Sequence, residues 1–86
     1  MKFTVRDAYQ SFAGWDPVAA FDADRFDLDM AHRIEPRLSR ERPVVLIDYP
    51  APAAALARCK ADDPGVAERW ELYIDGVELV NAYSEL

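Results

Sequence analysis

The sequence predicts an α+β fold in which two helices pack on a small, mainly antiparallel three-stranded sheet. Three observations carry this. Apolar residues recur at helical spacing through the first half of the chain. Val44-Val45-Leu46-Ile47 is an unbroken, largely β-branched run of the kind that forms a buried strand. Asp75-Gly76 separates two further apolar runs, a strong hairpin signal because both turn residues need positive φ. At 86 residues a single domain over 1–86 is expected. Such a domain buries only about 60% of the surface its unfolded chain exposes.

Taken in order, Thr4 is placed to cap a first helix, with Asp7 three positions on as a short capping-box variant. Val5, Ala8, Tyr9 and Phe12 form one apolar stripe, and Gly14 is a stop signal. The first helix is expected over Val5–Ala13. Trp15-Asp16-Pro17 reads as a turn, and Val18–Phe21 as a short apolar turn over the core. Asp22 or Asp24 can cap a second helix. In it Phe26, Met30, Ile34 and Leu38 recur every fourth residue, and Asp29 precedes Arg33 by four. Pro36 should end it, giving Ala23–Glu35. Val44–Tyr49 is the next strand, stopped by Pro50 and Pro52. Ala53–Ala57 reads either as a short strand or as one helical turn, and Lys60–Gly65 as a loop.

The hairpin pairs Val66–Ile74 with Val77–Tyr83. A two-residue turn sets Ile74 opposite Val77, Tyr73 opposite Glu78, Leu72 opposite Leu79 and Glu71 opposite Val80. Trp70, Leu72, Ile74, Val77 and Leu79 then share an expected core face, and Arg69, Glu71, Tyr73 and Glu78 the other. Glu71 and Glu78 lie diagonally, within reach of one ion, and two carboxylates suffice for Mg²⁺ when phosphate oxygens complete its shell. The alternative is an ordinary solvated sheet face. Asn81, Tyr83 and Glu85 can join Glu78 only if a residue bulges out near Leu79–Val80.

Composition excludes several function classes. A net charge of −6 opposes non-specific binding to nucleic acid or anionic membranes. Cys59 is the single cysteine, so a disulfide within the chain is impossible and a reducing cytoplasm is expected. No segment is long and apolar enough to span a membrane, and Met1–Asp7 lacks the apolar core of a signal peptide. The acidic run Asp22, Asp24, Asp27 and Asp29 fails as an EF-hand, with Asp27 where glycine is needed and Arg33 where glutamate is needed. These carboxylates suit a helix start instead. His32 has no partner at zinc-ligand spacing. Neither a nucleophile-elbow serine nor a phosphate-cradling glycine loop is present.

Pro43–Ala51, Leu56-Ala57-Arg58 and above all Val66–Leu86, with its Arg69-Trp70-Glu71, Gly76-Val77-Glu78-Leu79-Val80-Asn81-Ala82-Tyr83-Ser84-Glu85-Leu86, resemble the catalytic core of class II lysyl-tRNA synthetases. The match lies between that family's second and third signature motifs. Ala54-Ala55-Leu56-Ala57, in place of Ser-Pro-Leu-Ala, is more similar to the paralogue that attaches a lysine derivative to elongation factor P. The resemblance implies an ATP- and Mg²⁺-dependent ligase acting on lysine or a lysine analogue, with transfer RNA or elongation factor P as acceptor of the full-length enzyme. It implies that Glu71 and Glu78 hold ATP-bound Mg²⁺, that Asn81 and Tyr83 shape the lysine pocket, and that Glu85 pairs with the substrate ammonium. It further implies a single truncated class II domain, inactive alone without the arginines of those two motifs. A homodimer, formed by sheet extension or through an exposed apolar sheet face, is expected of such a unit. A non-catalytic binding or dimerisation module is the alternative.

Overall fold

Thr4 closes one element and opens the next. The computed structural model describes residues 1–54 and 57–83, and in it strand β1 (Lys2–Thr4) runs directly into helix α1 (Val5–Phe12). The Thr4 hydroxyl accepts the Asp7 N–H at 3.0 Å, the expected cap. At the far end Ala13 and Gly14 both donate their N–H to the Tyr9 carbonyl, and Gly14 leaves the helix at φ 78.

Helix α2 (Ala23–Asp29) is capped by Asp22, whose carboxylate accepts the Arg25 N–H at 3.1 Å. The expected second helix, Ala23–Glu35, follows this path but changes pitch. Met30–Ile34 widens into a π-helical turn, and Glu35–Arg37 tightens into a 3₁₀ turn. Pro36 lies inside that last turn, and its missing N–H and bulky ring are incompatible with continued α-helix. Arg33 meets Asp29 at 3.4 Å, as the spacing predicts.

Strands β2 (Val44–Pro50), β3 (Val66–Ile74) and β4 (Val77–Tyr83) complete one sheet in the order β1-β2-β3-β4. Among the described residues the sheet therefore has four strands and is mixed, where three mainly antiparallel strands were expected. β1 pairs parallel to β2, matching Phe3 with Leu46, and the other pairings are antiparallel. Three residues that end at the helix cap are too few to be read as a strand; only their pairing with β2 makes them one. Ala51–Ala53 forms a 3₁₀ turn after β2, and Ala55 and Leu56 of the ambiguous stretch lie outside the described residues.

The core lies between the helices and one sheet face. Val5, Tyr9, Ile34, Val44 and Leu46 are fully buried there. Burying an aliphatic side chain of this size contributes about 1.5–3 kcal/mol. Tyr9 stacks on Phe26 with ring centroids 4.7 Å apart, and its hydroxyl donates to the Phe26 carbonyl at 2.7 Å.

The two sheet faces are the reverse of the expected assignment. β3 sets Tyr73 opposite Val44 and Glu71 opposite Leu46, so both turn toward the helices and are buried. Trp70 pairs with Ile47 and Leu72 with Val45, on the side away from the core. Trp70, Ile74 and Val77 are 41%, 42% and 57% exposed. Among the described residues helices stand on one side only, and the β2–β3 register decides which residues meet them.

The hairpin turn has Asp75 at φ 53 and Gly76 at φ 74, as a two-residue turn requires. Ile74 pairs with Val77 and Tyr73 with Glu78, as expected. Beyond that the register shifts. Leu72 meets Val80 and Glu71 meets Asn81, in place of the expected Leu79 and Val80. Leu79 is the extra residue, and the bulge anticipated near Leu79–Val80 is present. A second irregularity lies between Ile47 and Tyr49, where Asp48 sits at φ 57 and its carboxylate holds Lys60 at 3.1 Å. Cys59 is exposed and bridges to Ala67.

Candidate functional site

A pocket of about 350 Å³ opens between the α2 segment and the inward face of β2–β4. Phe21, Phe26 and Met30 form its apolar wall, and Tyr49, Tyr73 and Arg69 its sheet side. Three glutamates line it, each delivered by a different element: Glu35 by the 3₁₀ turn, Glu71 by β3 and Glu78 by β4.

Glu71 is the innermost, at 6% exposure. The Tyr49 hydroxyl donates to its Oε1. The Arg69 guanidinium lies 3.9 Å from the same oxygen. Arg69 is itself fixed from three directions. It stacks over the Tyr49 ring at 4.6 Å, donates Nη1–H to the Ala53 carbonyl at 2.9 Å, and donates Nε–H to the Asn81 Oδ1 at 3.1 Å. Glu78 stands across the hairpin within hydrogen-bonding reach of Glu71.

Burial pushes the Glu71 carboxyl up to about 8, reinforced by the hydrogen bond and charge of Glu78 and then by the charge of Glu35. At neutral pH Glu71 therefore keeps its proton. Tyr73 donates its hydroxyl to Glu35 Oε2 at 3.0 Å. Burial first, then the neighbouring Glu71 and Glu35 charges, raise the Tyr73 phenol well above its ordinary range, so it stays a neutral donor. The pocket thus offers acceptor oxygens and a removable proton to an incoming cation.

The structure brings Glu71 and Glu78 together in this pocket, as the shared-ion reading requires, and buries Glu71 where the alternative reading had a solvated face. Asn81 is carried to the same side by the Leu79 bulge and joins the site through Arg69. Tyr83 pairs opposite Arg69 but lines a separate depression of about 340 Å³ with Lys2, Asp48 and Trp70. Glu85 lies outside the described residues. Glu35, Tyr49 and Arg69 were not anticipated as site residues. Glu35 reads in sequence as the end of a helix, and Tyr49 as strand filling. Among the described residues no group of three or more His, Cys, Asp or Glu is arranged to hold a metal ion. Two carboxylates would bind Mg²⁺ only with ligand oxygens completing its shell. Also among the described residues, no helix is long and apolar enough to cross a membrane.

No family model matches the chain. Curated relatives do. The chain is 36% identical to the elongation factor P-(R)-β-lysine ligase of Actinobacillus succinogenes over 99 aligned residues, covering 92% of this chain and 31% of the relative. It is 43% identical to the ligase of that name from Edwardsiella ictaluri over 72 residues, covering 80% and 22%. It is 45% identical to the one from Vibrio cholerae over 53 residues, covering 62% and 16%. The chain spans less than a third of the length of these relatives.

Proposed function

The chain is a homologue of the elongation factor P-(R)-β-lysine ligases across nearly its whole length, and on that premise we propose that it carries part of the active site of a lysyl-tRNA synthetase-like ligase. The reaction is ATP-dependent activation of lysine or β-lysine, with elongation factor P as acceptor and transfer RNA as the alternative acceptor. The observation that carries this reading is the convergence of Glu71 and Glu78 on one aromatic-walled pocket.

The donor set suits a divalent cation that arrives with phosphate. Glu71 carries a proton that a cation would replace, Glu78 stands beside it, and Mg²⁺ is commonly held by one or two carboxylates plus substrate oxygens. Mg²⁺, when bound, offsets negative charge on the ATP phosphates. Tyr49 and Arg69 orient the Glu71 carboxyl, and Asn81 anchors Arg69 in turn. Asn81 borders the amino-acid site through Arg69, and Tyr83 stands in the separate depression that Arg69 also lines; the resemblance gives Glu85 the substrate amine, through a charge-assisted hydrogen bond. A binding module without catalysis is the second reading, favoured by the uncovered apolar face of the sheet.

The test is titration of the chain with MgATP, followed by NMR. Binding should tighten from pH 6 to pH 9, as the Glu71 proton becomes easier to displace. Glu71→Gln and Glu78→Gln should each weaken it by about tenfold or more. Affinity unchanged in both variants would remove the reading. Lysine or β-lysine should then shift the Asn81 and Tyr83 resonances.

A further inference from the structure

Glu35 lines the pocket but takes no part in the scheme above. Its backbone is held from both sides. Ile34 before it is fully buried, and the buried Leu38 donates its N–H to the Glu35 carbonyl at 3.2 Å. Among the described residues its carboxylate joins no ion pair, although Arg33 and Arg37 are close in sequence. Arg33 turns to Asp29 at 3.4 Å, and Arg37 lies over the Phe12 ring at 5.9 Å. The partner of Glu35 is the Tyr73 hydroxyl, which donates to its Oε2 at 3.0 Å. Partly burying a carboxylate without a cation opposes folding, so packing alone does not account for this position.

A tyrosine hydroxyl has one proton to give and lone pairs with which to accept. Tyr73 gives its proton to Glu35, and Tyr49 gives its own to Glu71. Arg69, which also lines the pocket, is engaged by Asn81, the Ala53 carbonyl and Glu71. Against that guanidinium stand the carboxylates of Asp27, Glu35, Glu71 and Glu78. Apart from the proton on Glu71, the pocket meets a ligand with acceptors. Tyr73 pairs directly opposite Glu78, so the direction of its hydroxyl bears on that carboxylate. We propose that Glu35 is a specificity-determining positioning residue: by taking the Tyr73 proton it denies that proton to Glu78, and the pocket selects the nucleotide with its cation over the nucleotide alone. The proposal rests on the ligase reading and adds a residue to it. Mg²⁺ keeps several of its waters, and these are donors that suit the acceptors of the pocket. Bare phosphate oxygens are acceptors themselves, and the carboxylates repel them.

Calorimetric titration of the full chain with MgATP, and with ATP in EDTA, tests it. The wild type should prefer MgATP. Glu35→Gln keeps the size of the side chain, but its amide can donate to the Tyr73 oxygen and release the phenol proton to the pocket. Affinity for MgATP should fall about tenfold, and the preference over ATP should narrow with it. In Tyr73→Phe the proton is already gone, so adding Glu35→Gln should change MgATP affinity far less than it does in the wild type. Urea unfolding verifies the fold of each variant. An equal effect of Glu35→Gln with and without the Tyr73 hydroxyl means that Glu35 acts by its charge alone, and overturns the proposal. So does a Glu35→Gln chain that loses stability at unchanged nucleotide preference, the mark of a structural tie. If Glu71→Gln weakens MgATP binding and Glu35→Gln does not, the ligase reading stands and this proposal falls. If the wild type binds no MgATP, both fall.

Discussion

At the scale of single residues, Glu71 governs how this protein responds to pH. Its carboxyl titrates near 8 in the fold and near 4.5 when free. The folded state therefore binds the proton more tightly, so this group's contribution to stability is complete below about pH 4.5 and is lost as pH rises through about 8. Urea midpoints without added cation should fall between pH 5 and pH 9, and Glu71→Gln should flatten that fall and raise the midpoint at pH 9. Tyr49→Phe removes the hydroxyl that donates to buried Glu71. It should cost about 1–3 kcal/mol by urea titration, the penalty for depriving a buried polar group of its partner. The nearness of Glu71 to Glu78 was legible in sequence, because a two-residue Asp-Gly turn that sets Tyr73 opposite Glu78 leaves Glu71 on the diagonal. Glu35 was not legible. Its approach depends on how the chain is wound across Pro36.

At the scale of elements, local chemistry and register behave differently. Thr4 caps α1 and Asp22 caps α2 as their residue types dictate. Thr4→Ala should lower stability by about 1 kcal/mol in chemical denaturation. The hairpin turn was equally clear; the bulge was legible only as a condition, since Asn81 joins Glu78 only when one residue is inserted between them, and the register meets that condition at Leu79. Deleting Leu79 should therefore close the ladder with Asn81 still opposite Glu71, and the Arg69–Asn81 contact should persist in NMR spectra. Its loss would mean that Leu79 is not the inserted residue. The choice of buried face was not readable from alternation. Val66–Tyr83 displays an apolar side and a polar side, and propensity prefers the apolar one inside. The pairing of Leu46 with Glu71 prevails because β2 is already committed to the helices through Val44 and Leu46, and tyrosines supply the apolar bulk on that side.

At the scale of the whole molecule, stability rests on one layer of contact between helices and sheet. Ile34, fully buried in the π turn, ties that turn to the core. Ile34→Ala should cost about 2–5 kcal/mol. That is a large part of the 5–15 kcal/mol typical of folded domains, so the variant should unfold at markedly lower urea. The exposed thiol of Cys59 has a separate consequence for anyone handling this chain. Left in air, two molecules can join through sulfur, and a mass measurement would then report oxidation. Alkylated with a maleimide dye, the same atom becomes a unique label site, and energy transfer between a donor-tagged and an acceptor-tagged preparation follows the encounter of two molecules in real time.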